Sequence, residues 1–269
     1  MSKEYFMSPD ELRAVQLTEL DLLCELDRVC KLRNINYRIS AGTLLGAVRH
    51  GGFIPWDDDA DVHFTRDEYE RFREACDSLL NNDKYYFQDY RLTSGYRWGY
   101  GKLRKKDTLF IRDMQDHMPY NQGIFIDLFI DDYVPDNYLL RCVCALKCFF
   151  YRKIFWSEVG KNSAKGIEKI IYMWLSKIPE EKLKKQFRSF EKKHSKKTNW
   201  VRPLTFPMPT WDHGYPSRWW DGFSEIEFEG VMFMTFKEVH DYLEFKYGDY
   251  MTLPSEKQRK THPVSILKI

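Results

Sequence analysis

The chain has 269 residues, 43% hydrophobic and 30% charged. That is enough apolar side chain to bury a core, and it excludes a disordered, collagen-like or disulfide-stapled chain. Lys and Arg number 42 against 40 Asp and Glu, a net charge of +2 that carries no bulk signature of nucleic-acid binding. The charge is uneven: residues 1–135 carry −6 and residues 136–269 carry +8, an acidic part suited to cations and a basic part suited to phosphates or an anionic surface.

The opening Met1-Ser2-Lys3-Glu4 is polar, which predicts no secretory leader and places the chain in the cytoplasm. Its six cysteines are then expected as reduced thiols. Three capping boxes predict helix starts. Ser8-Pro9-Asp10-Glu11 opens a helix running to about Arg33, Thr65-Arg66-Asp67-Glu68 opens a second, and Thr235-Phe236-Lys237-Glu238 a third ending near Tyr247. Strands are expected at Tyr37–Ser40, Ala60–Phe64, Tyr86–Tyr90, Gly101–Arg104, Leu109–Arg112 and Ile124–Phe129. Residues 136–195 look helical, with breaks at Gly160–Gly166 and Pro179, and a Pro-rich irregular stretch follows. The organisation expected is a mixed α/β core over 1–135, a helical block over 136–195 and a segment over 196–269 that packs back, the three forming one integrated domain or more. The apolar run Tyr138–Trp156 contains Arg141, Lys147, Arg152 and Lys153, too many charges to span a bilayer. Cys142, Cys144 and Cys148 have no zinc-like spacing and no His nearby in the chain, so helix packing is expected of them.

The segment Ser40–Phe64 carries the chemistry. Gly42-Thr43 leads into a short helix expected over Leu44–Arg49, whose first amides can receive an anion, with Arg49 as a bidentate phosphate donor. Asp57, Asp58, Asp59 and Asp61 then crowd into five positions. In an extended strand Asp59 and Asp61 share a face, roughly 6.5–7 Å apart at Cα, and can converge on hard cations. Asp57 is a third candidate for that face, and Asp58 points elsewhere. A solvated acidic turn is the plainer alternative, opposed by the apolar flanks Phe53, Ile54, Trp56, Val62 and Phe64. Asp127 interrupts the apolar run Ile124–Phe129 and requires either an Arg partner or a cation. On a neighbouring strand it would complete a triad with Asp59 and Asp61, a two-cation site for in-line displacement at phosphorus.

Gly42-Thr43-Leu44-Leu45-Gly46-Ala47-Val48-Arg49-His50 with Ile54-Pro55-Trp56-Asp57-Asp58-Asp59-Ala60-Asp61 resembles the signature of the LicD family of bacterial phosphorylcholine transferases, related to the fukutin-type transferases. The likeness continues through Gly123–Phe129, Phe228-Glu229-Gly230, Tyr247–Pro254 and His262. Ala60 is smaller than the family's usual aliphatic residue, and Ile130-Asp131 stands where Pro and an apolar residue are usual. The resemblance implies a nucleotidyltransferase-like mixed sheet flanked by helices with a helical insertion. It also implies Mg²⁺-dependent transfer of phosphocholine from CDP-choline to a sugar of a surface glycan, teichoic acid or lipopolysaccharide.

On that reading Asp59, Asp61 and Asp127 hold cations and Asp127 takes the acceptor proton. Gly42, Thr43, Arg49, Lys102, Arg104 and His262 are the substrate-binding candidates. For Lys102 and Arg104 the alternative is a surface position, and for His262 an exposed tail. Trp211, Tyr215, Trp219 and Trp220 are either a wall for the choline ammonium or packing under loops. The basic stretch 182–197 is a solvated face or a contact with the inner face of a membrane carrying a lipid-linked acceptor. Nucleotidyl transfer, another CDP-alditol phosphotransferase and a non-catalytic glycan-binding module remain alternatives.

Overall fold

Residues 5–269 are described by the computed structural model; Met1–Glu4, where a leader is expected to be absent, lie outside the described residues. Ser8 caps α1 (Pro9–Arg33): its Oγ accepts from the Glu11 amide at 3.3 Å, and Glu11 accepts from the Ser8 amide at 2.8 Å. The chain continues through β1 (Arg38–Ile39), α2 (Ala41–His50), β2 (Asp61–Thr65), α3 (Arg66–Leu79), β3 (Tyr85–Gln88), β4 (Gly101–Lys105), β5 (Leu109–Arg112) and β6 (Phe125–Val134). The helical stretch is α4 (Tyr138–Ser163), α5 (Gly166–Leu175) and α6 (Glu180–Lys192). After it come β7 (Trp200–Pro203), β8 (Tyr215–Pro216), β9 (Ser224–Phe228), β10 (Val231–Thr235), α7 (Val239–Tyr247) and β11 (Val264–Lys268).

The result is a mixed α/β fold. β6 is the spine, because nine of its ten residues are buried and, Asp127 apart, its stretch 125–130 is apolar on both faces. Its first half pairs in parallel with β2 and antiparallel with β4, and its second half pairs with β7. The path β1-β2-β6-β4-β3 makes the sheet, and β7 and β8 extend it. One apolar cluster packs α1, α3 and the C-terminal hairpin on this sheet; a second joins α4 and α6 through Cys144, Cys148, Phe155, Leu183 and Phe187.

Three expectations change. α2 starts at Ala41 rather than Leu44, so Gly42 and Thr43 lie in its first turn; the Tyr242 hydroxyl accepts from the Ala41 amide at 3.3 Å, and a Cβ on Gly46 would run into the Gly52 carbonyl. Thr235 does not cap a helix. It ends β10, paired with Ser224, and its Oγ1 donates to the Ile39 carbonyl at 3.0 Å, so α7 begins four residues later without a side-chain cap. The stretch expected to be irregular after 195 supplies β7, which completes the sheet beside β6.

The cysteines are free thiols. The fold also supplies the histidine that sequence spacing hid: His194 Nε2 lies 3.7 Å from Cys144 Sγ, and its Nδ1 lies 2.8 Å from the Tyr133 carbonyl. A hydrogen bond from Cys148, with His194 beside it, pulls the Cys144 thiol down to about 5 against the opposing effect of burial. For His194, burial opposes the charge, but the Cys144 sulfur and the Tyr133 carbonyl outweigh it and raise the pKa above 6.5. A raised histidine stabilises the fold fully below its unfolded value and loses that contribution as pH rises through the folded one. His194→Gln should therefore lower Tm most at about pH 6, with the deficit shrinking at alkaline pH; thermal melts across pH check this, and a pH-independent deficit would contradict it.

Candidate active site

Strand register brings the two acidic segments together. Asp61, the first residue of β2, stands directly across from Asp127 of β6, and Lys102 of β4 stands across from Asp127 on its other side. Neighbouring strands lie about 4.8 Å apart, so the three side chains share one face within reach of each other. Lys102 Nζ makes an ion pair with Asp127, so the partner that the buried carboxylate requires is a lysine rather than an arginine. Burial pushes Lys102 down to about 8 although Asp127 favours its charge.

Asp59 precedes β2 and faces Arg112, whose Nη2 lies 3.4 Å from its Oδ2. Arg112 ends β5 and is held there by pairing with Val264 of β11. Burial, then Asp59 and Asp127, push the Asp61 carboxyl well up, and burial with Asp59 and Asp58 does the same to Asp57. On α1 the buried Glu19 occupies a core-facing position; its Oε2 has no hydrogen-bond partner among the described residues, and burial and Asp59 raise its pKa too. Asp58, expected to point elsewhere, adjoins the set: its Oδ2 lies 3.8 Å from Nη1 of the Arg112 that also faces Asp59, while it accepts from the His262 amide at 3.3 Å with His262 Nδ1 2.7 Å from its Oδ1. Burial opposes the Asp58 charge, yet these bonds and Arg112 hold its pKa below the usual value.

The acidic loop is anchored by side chains from distant elements. Gln16 Nε2 donates to the carbonyls of Ile54 and Asp57, at 3.3 and 3.0 Å. Glu229, in the β9–β10 turn, accepts from the Phe53 amide at 3.0 Å and pairs with Arg13 at 2.7 Å. Thr43 Oγ1 accepts from the Asp61 amide at 2.8 Å, and a Cβ on Gly42 would stand 2.5 Å from Asp57 Oδ2. These two residues thus position the carboxylates. Arg49 Nη1 donates to the Tyr250 carbonyl at 2.9 Å and does not line the acidic cavity. Gly248 closes α7 at φ 68°, which gives the Tyr247–Tyr250 motif its cap.

A cavity of about 290 Å³ opens on Asp59, Asp127, Lys102, Arg104, Arg112 and His262. Lys102 and Arg104 are buried within it, not on the surface, and lie 3.3 and 4.9 Å over the Phe125 ring. Arg104 is oriented by Gln88 at 2.6 Å and the Gly123 carbonyl at 2.7 Å. Trp98, Tyr100, Trp156 and Phe206 line this cavity and also an adjoining one of about 430 Å³. Of the two alternatives for the 211–220 rings, packing holds for three: Tyr215 and Trp219 are buried against α7 and Trp220 against Phe236, while Trp211 is exposed. Sequence reasoning missed Trp98 and Trp156 because one lies in a loop and the other in α4. A larger cavity, about 550 Å³, has no carboxylate in its lining and offers nothing to a hard cation.

Among the described residues no three His, Cys, Asp or Glu side chains already converge to hold a metal. The donor set nevertheless fits a divalent cation chemically, since oxygen ligands from Asp57, Asp59, Asp61 and Asp127 repel one another and Glu19 keeps an unpartnered oxygen beside them. Removing one charge from this set should stabilise the metal-free protein. Asp61→Asn is expected to raise its unfolding free energy by about 1 kcal/mol at neutral pH, and Mg²⁺ should raise Tm in the wild type but not in the variant. Melts with chelator and with Mg²⁺ test this; equal Mg²⁺ responses would contradict it.

A family model described as the LicD/FKTN/FKRP nucleotidyltransferase domain matches residues 34–143, which hold the acidic loop, β2, β4 and all of β6. The chain is 30% identical over 263 residues to the lipopolysaccharide cholinephosphotransferase LicD of Haemophilus influenzae, covering 94% of this chain and 96% of that protein. It is 29% identical over 122 residues to an uncharacterised protein of Rickettsia prowazekii, covering 45% of this chain and 42% of that one. A Rickettsia typhi protein, also uncharacterised, is 39% identical over 72 residues, covering 27% and 22%. With 30% identity to a LicD protein over nearly the full length of both chains and the acidic motifs joined on adjacent strands, the chain belongs to the LicD family.

Proposed function

We propose that this protein transfers phosphocholine from CDP-choline to a sugar hydroxyl of a surface glycan of the lipopolysaccharide or teichoic acid type, with Mg²⁺. The observation that carries the reading is the direct register of Asp61 with Asp127, flanked by Lys102, with Asp127 and Lys102 lining a cavity walled by aromatic rings. Asp59, Asp61 and Asp127 would hold the cation, which would neutralise the donor's diphosphate charge. Lys102 and Arg104 bind the phosphate oxygens. When a phosphate competes for Lys102, the Asp127 carboxylate is released to accept the proton of the attacking hydroxyl. The new bond joins the sugar oxygen to the choline-bearing phosphorus; the bond to CMP breaks, and CMP departs with the electron pair. Asp58 orients His262 at the cavity rim, which suits the departing phosphate.

The choline ammonium fits Trp98, Tyr100, Trp156 and Phe206, whose ring faces attract a quaternary cation. A pure binding module gains nothing from buried, mutually repelling carboxylates, so the set favours an enzyme. The basic stretch 182–197 covers most of α6 and the residues after it; the apolar Leu183, Phe187 and Phe190 of α6 are buried, and most of the lysines in the stretch are exposed. No helix is long and apolar enough to cross a membrane among the described residues.

Purified protein with CDP-choline, Mg²⁺ and glycan should release CMP, and phosphorus NMR should show a new phosphodiester on the sugar. Asp127→Asn should lower kcat by at least about 10²-fold, and Trp156→Ala should raise KM for CDP-choline about tenfold with kcat little changed. Pyrophosphate release from a nucleoside triphosphate would instead identify a nucleotidyltransferase. CMP release from a CDP-alditol but not from CDP-choline would reassign the donor.

A further inference from the structure

The most anomalous surface lies outside the cavity. On α5, Ile167, Ile170, Ile171 and Trp174 recur at the spacing that normally marks a core-facing helix stripe. Here the stripe is outermost: Ile167 is 78% and Trp174 69% exposed, while Tyr172 alone of that helix is buried. α4 repeats the pattern. Leu139, Val143, Leu146 and Phe150 fall on one exposed stripe, opposite its buried Arg141, Cys144, Cys148 and Phe155. The two helices are fastened together by Lys153, which donates to the Tyr172 hydroxyl at 2.8 Å, and by Gly160, which lies against the Tyr172 ring. Exposed apolar surface on this scale marks an interaction site.

Charge decides the partner. Residues 138–178 hold eight Lys and Arg against Glu158 and Glu168 alone. Both glutamates are occupied, Glu158 by Arg97 and Lys161 and Glu168 by Lys153. Lys177 Nζ lies 5.2 Å over the Trp174 ring, so a cation and an indole share the same edge of the stripe. A twofold contact with a second copy would press like charges on each other. Apolar side chains interleaved with lysine instead match an anionic lipid surface, where the rings and aliphatics enter the headgroup layer and the ammonium groups meet phosphates.

We infer that the α4–α5 hairpin is a membrane-docking surface that lies in the plane of an anionic bilayer. α4 also lends Arg152, Lys153 and Trp156 to the aromatic cavity that adjoins the catalytic one, so docking sets that groove at the lipid surface, where a lipid-linked acceptor would enter. The inference differs from a contact through α6, whose lysines have no exposed apolar stripe beside them. Partitioning to lipid is independent of the transfer reaction proposed above.

The test is sedimentation of the full-length chain with vesicles of phosphatidylethanolamine and phosphatidylglycerol, compared with phosphatidylcholine alone. The wild type should bind the anionic vesicles and release from them with added salt. The triple variant Ile167→Ser, Ile171→Ser, Trp174→Ser should bind at least about tenfold more weakly, with its circular dichroism and its Tm retained. If that variant does not fold, Lys165→Gln with Lys169→Gln and Lys177→Gln should show the loss on anionic vesicles. Wild-type protein that ignores the anionic vesicles, or a folded triple variant that binds like wild type, would overturn the inference. So would a lipid-free dimer that the triple variant dissolves, which would assign the face to a second copy.

Discussion

A carboxylate in the middle of a buried apolar strand must be compensated, and the rest of the site follows from how Asp127 is treated. β6 is apolar on both faces over 125–130 because it is the central strand of the sheet, and Asp127 interrupts it. The parallel register with β2 and the antiparallel register with β4 set an acid on one side and a lysine on the other. With Lys102 in place the ligand-free protein tolerates the charge at Asp127, while Asp57, Asp59, Asp61 and Glu19 remain poorly compensated. Such a set costs stability and is poised to accept positive charge from outside the chain.

Much of the surrounding structure serves to hold that arrangement. Thr43 fixes the start of β2, Gln16 and Glu229 fix the loop that carries Asp57, and the β5–β11 pair delivers Arg112 to Asp59. These supports come from α1, α2, β5 and the β9–β10 turn, elements far apart in the chain. The small residues of the Gly42–Gly46 motif act in the same way. They keep α2 close enough to the acidic loop that a Cβ at either position would collide with it.

Local signals explain what was legible beforehand. Ser8 and Glu11 cap α1 reciprocally within four residues, and the alternation of Gly101–Arg104 put Lys102 and Arg104 on a common face. Strand periodicity and the family motif pointed to Asp59, Asp61 and Asp127, and the strand register joins Asp61 with Asp127. What was hidden depends on distant pairing. Thr235 looked like a helix cap until β9 claimed it, and Arg112 gained a role only when β11 returned beside β5. Glu19 was visible in principle, as an acid at a core position of the α1 stripe between Val15 and Leu22. The aromatic residues of 211–220 stayed open between two readings because ring content alone does not distinguish a pocket wall from packing, and the structure packs Tyr215 and Trp219 under α7.

The central claim is that Asp59, Asp61 and Asp127 together hold the divalent cation on which a diphosphate donor is cleaved. Its most direct test is a crystal structure with Mn²⁺ and CDP-choline, with anomalous scattering used to locate the metal. Mn²⁺ bonded to carboxylate oxygens from both β2 and β6, with Lys102 turned from Asp127 to a donor phosphate, is the predicted result. Metal and donor bound elsewhere, with the Lys102–Asp127 ion pair intact, would contradict the account.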